Sequence, residues 1–157
     1  MKKIKKILVS VYNKSTISAL TKLLDAYDVE IISTGGTKKE LEKNGIKVTS
    51  VESLTEYPSI LGGRVKTLHP KIFGGILKRT DNLQDDEDLK KLNIGQIDMV
   101  VVGLYPFQET VEAGKSHKEI IEKIDIGGVS LIRAAAKNYS NVLIIPSLID
   151  LHSAIDL

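Results

Sequence analysis

The chain has no cysteine and no tryptophan, and only 2 phenylalanines and 5 tyrosines. Without cysteine there is no disulfide framework, no thiolate nucleophile and no cysteine-ligated zinc. An absence of thiols fits a reducing compartment. So few aromatic rings offer no evident platform for stacking single-stranded bases. No apolar run is long enough for a membrane span. The opening MKKIKK precedes an apolar run at residues 7–12, but Ser10 interrupts it and Asn13-Lys14 ends it, which is too short for a secretory core. An excess of one charge is also lacking: 22 basic against 20 acidic residues leave a formal net charge of +2, too little for general nucleic-acid binding. What remains is the expectation of a cytoplasmic globular domain with no nucleic-acid and no membrane partner. Its 157 residues suffice for one domain with a real core.

Strand-like and helix-like stretches alternate along the chain. Residues 7–11, 29–33, 46–51, 97–104 and 142–145 read as strands, the run at 97–104 being the most hydrophobic. Residues 15–26, 38–43, 106–113, 118–123 and 129–138 read as helices, with a short helix running to Leu92 and another starting at Leu148. Residues 52–63 read as loop, and residues 72–77, apolar but holding Gly74-Gly75, read as strand or helix. Such alternation predicts an α/β domain with a mainly parallel sheet and helices on both faces.

Charge is concentrated in one place. From Pro58 to Thr80 there is no acidic residue, so Arg64, Lys66, His69, Lys71, Lys78 and Arg79 have no local carboxylate. The centre of this stretch reads GGRVKTLHP, residues 62–70, and suits an anion such as phosphate. Ser33-Thr34-Gly35-Gly36-Thr37 follows a strand and opens a helix, where glycines let backbone N–H groups approach an anion and the helix N-terminus favours negative charge. It is neither a Walker sequence nor the three-glycine dinucleotide fingerprint. Ser10, Tyr12, Asn13 and Lys14 close the first strand at the same sheet edge. Lys14 is either a solvated surface lysine or part of a shared anion pocket.

Three further segments carry open alternatives. Tyr105, in GLYPF, is either a core tyrosine beside Phe107 or a hydroxyl turned into the cleft. Asp125, before Ile126, Gly127 and Gly128, is either a helix cap or a site carboxylate. Arg133 and Lys137 fall on one helix face. Both are solvated, or the run Ala134-Ala135-Ala136 packs closely enough to bury Lys137 in part and lower its pKa. His69, His117 and His152 make no metal-binding pattern. His69, just before Pro70, reads as a hydrogen-bonding strut.

In order, STGGT, LGGRVKTLHP, LYPF, IDIGG and LIRAAAKN resemble the inosine monophosphate (IMP) cyclohydrolase domain. That domain is the N-terminal part of a bifunctional purine-biosynthesis enzyme whose other half is the AICAR formyltransferase. The resemblance covers residues 7–147. It implies a methylglyoxal-synthase-like fold, a cytoplasmic hydrolase acting on cyclic amidines, and an intact protein that is a homodimer. The implied reaction closes FAICAR (5-formamidoimidazole-4-carboxamide ribotide) to IMP and water, the last step of purine synthesis, with no metal and no cofactor. On this reading residues 1–157 are a cyclohydrolase domain that in the family continues further, and the formyltransferase domain is absent. The implied catalytic group is Lys66, Tyr105, Asp125 and Lys137, with Lys137 as the proton-transfer residue. The implied nucleotide contacts are Ser10, Tyr12, Asn13, Lys14, Ser33, Thr34, Gly35, Gly36, Thr37, Arg64, Val65, Thr67, Val102, Gly103, Ile126, Gly127 and Gly128. Lys14 and Arg64 suit the 5′-phosphate. One departure stands out: the family usually has Asn where this chain has Gly103.

Two rivals share the fold. Methylglyoxal synthase chemistry asks for a carboxylate base in the glycine-rich segment, which here holds Arg64 and no acid. A non-catalytic phosphate- or nucleotide-binding module would need the anion site without Lys66, Tyr105, Asp125 and Lys137 together.

Overall fold

The computed structural model describes residues 3–14, 17, 18, 20, 21 and 29–147. Their strands are β1 (Lys6–Val11), β2 (Glu30–Ser33), β3 (Thr49–Ser50), β4 (Met99–Gly103) and β5 (Leu143–Ile145). All pair in parallel in the order β3-β2-β1-β4-β5. The helices are α1 (Gly35–Lys43), α2 (Val51–Thr55), α3 (Pro70–Leu77), α4 (Leu83–Lys91), α5 (Phe107–Glu112), α6 (His117–Ile121) and α7 (Gly127–Lys137). The α/β class expected from the alternation is the observed one.

The strands are apolar on both faces because helices cover both. Ile7, Val9 and Val11 of β1 and Met99 and Val101 of β4 face a core with Ile17, Leu20 and Leu41 of α1. Leu8, Val100 and Val102 face the other way, onto Val51, Ile72, Ile76, Leu131, Ala134 and Ala135 of α2, α3 and α7. This two-residue alternation, apolar in both phases, is what a sandwiched parallel strand requires. The buried Asp98 carboxylate accepts from the N–H groups of Lys5 and Lys6 at 3.0 and 3.1 Å, pinning the start of β4 to that of β1.

The structure decides one open reading and corrects others. Residues 72–77, open between strand and helix, are helical. Pro70 supplies the pre-set φ of a first helical position, and His69 Nδ1 accepts from Lys71 N–H at 3.1 Å as the cap. Gly74 and Gly75 sit inside α3 because the helix passes close to the 94–97 segment. The expected loop at 52–63 contains α2, started by Ser50, whose hydroxyl accepts from Ser53 N–H at 3.0 Å. The third strand is only Thr49–Ser50, paired with Ile32 and Ser33 of β2, and α2 begins at the next residue. Most of the expected helix at 15–26 and all of that from Leu148 lie outside the described residues.

The chain runs from β1 outward to β2 and β3, then crosses to β4 on the other side of β1. The carboxyl ends of β1 and β4 therefore flank a topological switch point, where open α/β sheets bind ligands.

The close approach at α3 makes a testable contrast. A Cβ on Gly75 would meet the Gly95 carbonyl oxygen at 2.6 Å, whereas one on Gly74 would make ordinary contact with Ile94 at 3.4 Å. Gly75→Ala should destabilise by about 1–3 kcal/mol through overpacking. Gly74→Ala should be neutral or stabilise by about 0.5–1 kcal/mol through helix propensity. Denaturant midpoints of the two variants check the difference.

Candidate functional site

A cavity of about 680 Å³ opens at the switch point. Its floor is the end of β1 and β4, with Ser10, Tyr12 and Gly103. One wall is the N-terminus of α1, one the Leu61–Thr67 loop, and one the segment leading into α7. Among the described residues no group of three or more His, Cys, Asp or Glu side chains could hold a metal ion.

At the α1 wall the backbone and two lysines converge. Gly35 adopts φ +53°, a left-handed conformation that glycine enters without strain. Thr34, the residue before the helix, makes no side-chain cap, and its hydroxyl donates to Glu52 Oε1 at 3.0 Å. The first turn carries no acidic residue either. Lys66 Nζ lies 4.0 Å from where a Gly35 Cβ would be, and the Lys14 chain 3.3 Å from that of Gly36. Two ammonium groups thus flank the positive end of a helix. Thr37 fixes this corner. Its buried hydroxyl donates to the Val11 carbonyl at 2.9 Å and accepts from Lys14 Nζ at 3.1 Å and Val11 N–H at 3.3 Å. Lys14 Nζ also donates to the Val11 carbonyl. Burial, and then the neighbouring Lys66 charge, hold the Lys14 pKa below its ordinary value, against a weaker upward pull from Glu40.

The basic loop turns back on itself. Ile60 and Val65 form an antiparallel bridge, and Leu61, Gly62 and Gly63 all take positive φ between them. A side chain on Gly63 would crowd Lys66 at 3.2 Å. The Thr67 hydroxyl packs 3.2 Å from the Cβ position of Gly127, seating the loop against the start of α7.

The expectation that the cations of residues 58–80 lack acidic partners holds only locally. Arg64 pairs with Glu122 at 2.7 Å, Lys71 with Glu56 at 2.9 Å, Lys78 with Asp86 at 2.8 Å and Arg79 with Asp85 at 2.6 Å. Arg79 holds the Asp85 pKa down at about 2. Lys66 is the lysine of the stretch for which no ion pair forms among the described residues.

At the α7 wall, Asp125 both caps and faces the cavity. Its carboxylate accepts from Gly128 N–H at 2.6 Å and from Tyr105 N–H at 3.4 Å. It thereby ties the end of β4 to a helix that starts two residues earlier than its apolar pattern suggested. Tyr105 is no core residue: it is 37% exposed, and its ring stands 5.0 Å from that of Tyr12.

Of the remaining sequence-derived candidates, Val65, Ile126, Gly127 and Gly128 line the cavity. Asn13 lines an adjoining groove with Tyr12 and Tyr105. Ser33 is fully buried, its hydroxyl donating to the Val9 carbonyl at 2.7 Å, and Val102 belongs to the core. Gly103 is tight against β1, since a Cβ would meet that of Val11 at 3.2 Å, and its carbonyl accepts from Tyr12 N–H at 2.9 Å. An amide side chain here would press on the sheet. Lys137 stands apart. The partial burial suggested by the alanine run is corrected: Ala134 and Ala135 face the core, while Ala136 and Lys137 are exposed. Ten residues of helix, about 15 Å, separate Lys137 from Gly127 at the cavity. Glu122 and Lys123, which no sequence reading singled out, lie at the cavity mouth. They are revealed only by long-range contacts to Arg64 and Tyr12.

The MGS-like domain family matches residues 16–130. This chain belongs to that family. It is 58% identical over 146 residues to the bifunctional purine biosynthesis protein PurH of Bacteroides thetaiotaomicron, covering 93% of this chain and 29% of that protein. It is 55% identical over 139 residues to purH of Dictyostelium discoideum, covering 88% and 26%. The chain thus spans less than a third of these curated relatives. The crystal structure of ForH superposes with a TM-score of 0.75 at 30% identity, over 99% of this chain and 80% of that one. The matched region contains three walls of the cavity, and β1, which supplies part of its floor, precedes it.

An anion seated beside Lys14 would raise its depressed pKa, so binding takes up protons. Affinity for inorganic phosphate should therefore fall as pH rises towards the ordinary lysine range. Calorimetric titration checks this, and Lys14→Met should remove most of the slope. A pH-independent affinity in the unaltered protein would contradict it.

Proposed function

We propose that this chain is a cyclohydrolase domain of purine biosynthesis that closes FAICAR to IMP and water. The observation that carries this reading is the gathering of Lys66, Tyr105 and Asp125 around one cavity whose opposite wall suits a phosphate. The identity to proteins named for bifunctional purine biosynthesis supports it.

The 5′-phosphate sits at the N-terminus of α1 beside Lys14, with Arg64 of the facing loop and the Gly36 and Thr37 N–H groups as donors, which leaves Lys66 to the reacting end. The base lies across the β1 and β4 ends, against Tyr12 and Tyr105. The carboxamide nitrogen attacks the formyl carbon. A C–N bond forms, the formyl oxygen gains negative charge and takes up the proton lost by the attacking nitrogen, and the C–O bond then breaks as a C=N bond forms to the formamido nitrogen, whose proton completes the departing water. The Lys66 ammonium and the Tyr105 hydroxyl stabilise the oxygen. Asp125, held by Gly128 and Tyr105 N–H, orients the carboxamide. Within one chain the proton-transfer role falls to Lys66, because Lys137 does not line the cavity.

Absorbance-monitored conversion of FAICAR to IMP by this chain tests the reading. Turnover above the uncatalysed rate is expected, and Lys66→Met should lower it by roughly 10²–10⁴-fold while IMP still binds. An equal loss in Lys137→Ala would show that a group from outside this cavity completes the site. IMP binding without any turnover would favour the binding-module reading instead.

A further inference from the structure

The cavity holds three cationic side chains in unequal states. Lys14 and Lys66 face it without an ion-pair partner among the described residues, whereas Arg64 does not. Its guanidinium is engaged by the Glu122 carboxylate at 2.7 Å, across 58 residues of sequence. Both residues line the cavity, and both side chains are more than half exposed, so solvent and solutes reach the pair. The next residue holds the opposite wall: Lys123 Nζ stands 5.0 Å from the Tyr12 ring centre, 5.6 Å from that of Tyr105, and 3.4 Å from the Tyr12 hydroxyl. The short stretch between α6 and α7 therefore bridges the mouth, with one side chain on each bank.

A guanidinium fork binds carboxylate and phosphate in the same two-pronged geometry, so one excludes the other. We propose that Glu122 is a built-in competitor of the ligand's phosphate for Arg64, weakening the binding of ligands that carry a phosphate group and leaving that of their neutral counterparts unchanged. A dianionic phosphate displaces the single carboxylate and releases the Glu122 end of the bridge; a neutral ligand leaves it closed. The inference rests on the nucleotide reading only for the identity of the ligand, and on the Arg64–Glu122 pair for its mechanism.

Glu122→Gln removes the competing charge while keeping the shape. Calorimetry of this chain with IMP and, separately, with inorganic phosphate should show both bound about two- to fivefold more tightly by Glu122→Gln, the range expected for an exposed ion pair. That gain should vanish in an Arg64→Met background, and inosine, which lacks the phosphate, should show no gain. An unchanged or weaker phosphate affinity in Glu122→Gln, a gain that survives loss of Arg64, or an equal gain for inosine would overturn the proposal. If IMP binds to no variant while phosphate shows the Arg64-dependent gain, the nucleotide reading fails and the competitor role stands. Absence of binding for both probes in all variants overturns the proposal as well.

Discussion

Two lysine ammonium groups held beside one helix N-terminus, neither of them in an ion pair among the described residues, are the constraint on which the cavity depends. Like charges in that position repel each other and the helix dipole alike. The fold tolerates this because the surrounding contacts over-determine the corner: Thr37 joins α1 to β1, and the doubled glycines of the 61–67 loop leave room for Lys66. Partial burial of Lys14 adds a penalty that only a bound anion relieves. The energy stored there is local, and the rest of the molecule is built in the ordinary way from two apolar layers around a parallel sheet.

The same logic explains where the other groups sit. Strand order sends the chain away from β1 on both sides, so the connections that leave the paired ends of β1 and β4 go opposite ways and leave a crevice. Asp125 closes that crevice at the far wall by serving two backbone donors, one on each element it joins. A carboxylate so held has a fixed orientation before any ligand arrives, which is what positioning a reacting amide asks for. Tyr12 and Tyr105 remain partly exposed because the crevice keeps their faces free of core packing.

The sequence made some of this legible and left the rest hidden for identifiable reasons. β1 and β4 could be read because strands buried on both faces are uninterrupted apolar runs. The glycine turn at 34–37 and the basic loop at 62–70 could be read because special φ values and concentrated charge leave a composition trace. Residues 72–77 could not be assigned, since a short apolar run has the same composition in a strand as in a helix, and the capping by His69 decides it. The pairing of Arg64 with Glu122 was invisible because it depends on tertiary contact and not on spacing. Of the two readings of Lys137, partial burial fails and solvation holds, for a related reason. Three successive alanines cannot all face one side of a helix, so Ala134 and Ala135 pack while the residues after them turn outward.

The central claim is that a nucleotide phosphate is received at the N-terminus of α1, beside Lys14. Amide and lysine side-chain NMR spectra of the isotope-labelled chain, recorded during titration with IMP, test it most directly. The account predicts that the largest shifts fall on the Gly36 and Thr37 amides and on the Lys14 and Lys66 ammonium groups. Shifts confined to other surfaces, or none at saturating IMP, would contradict it.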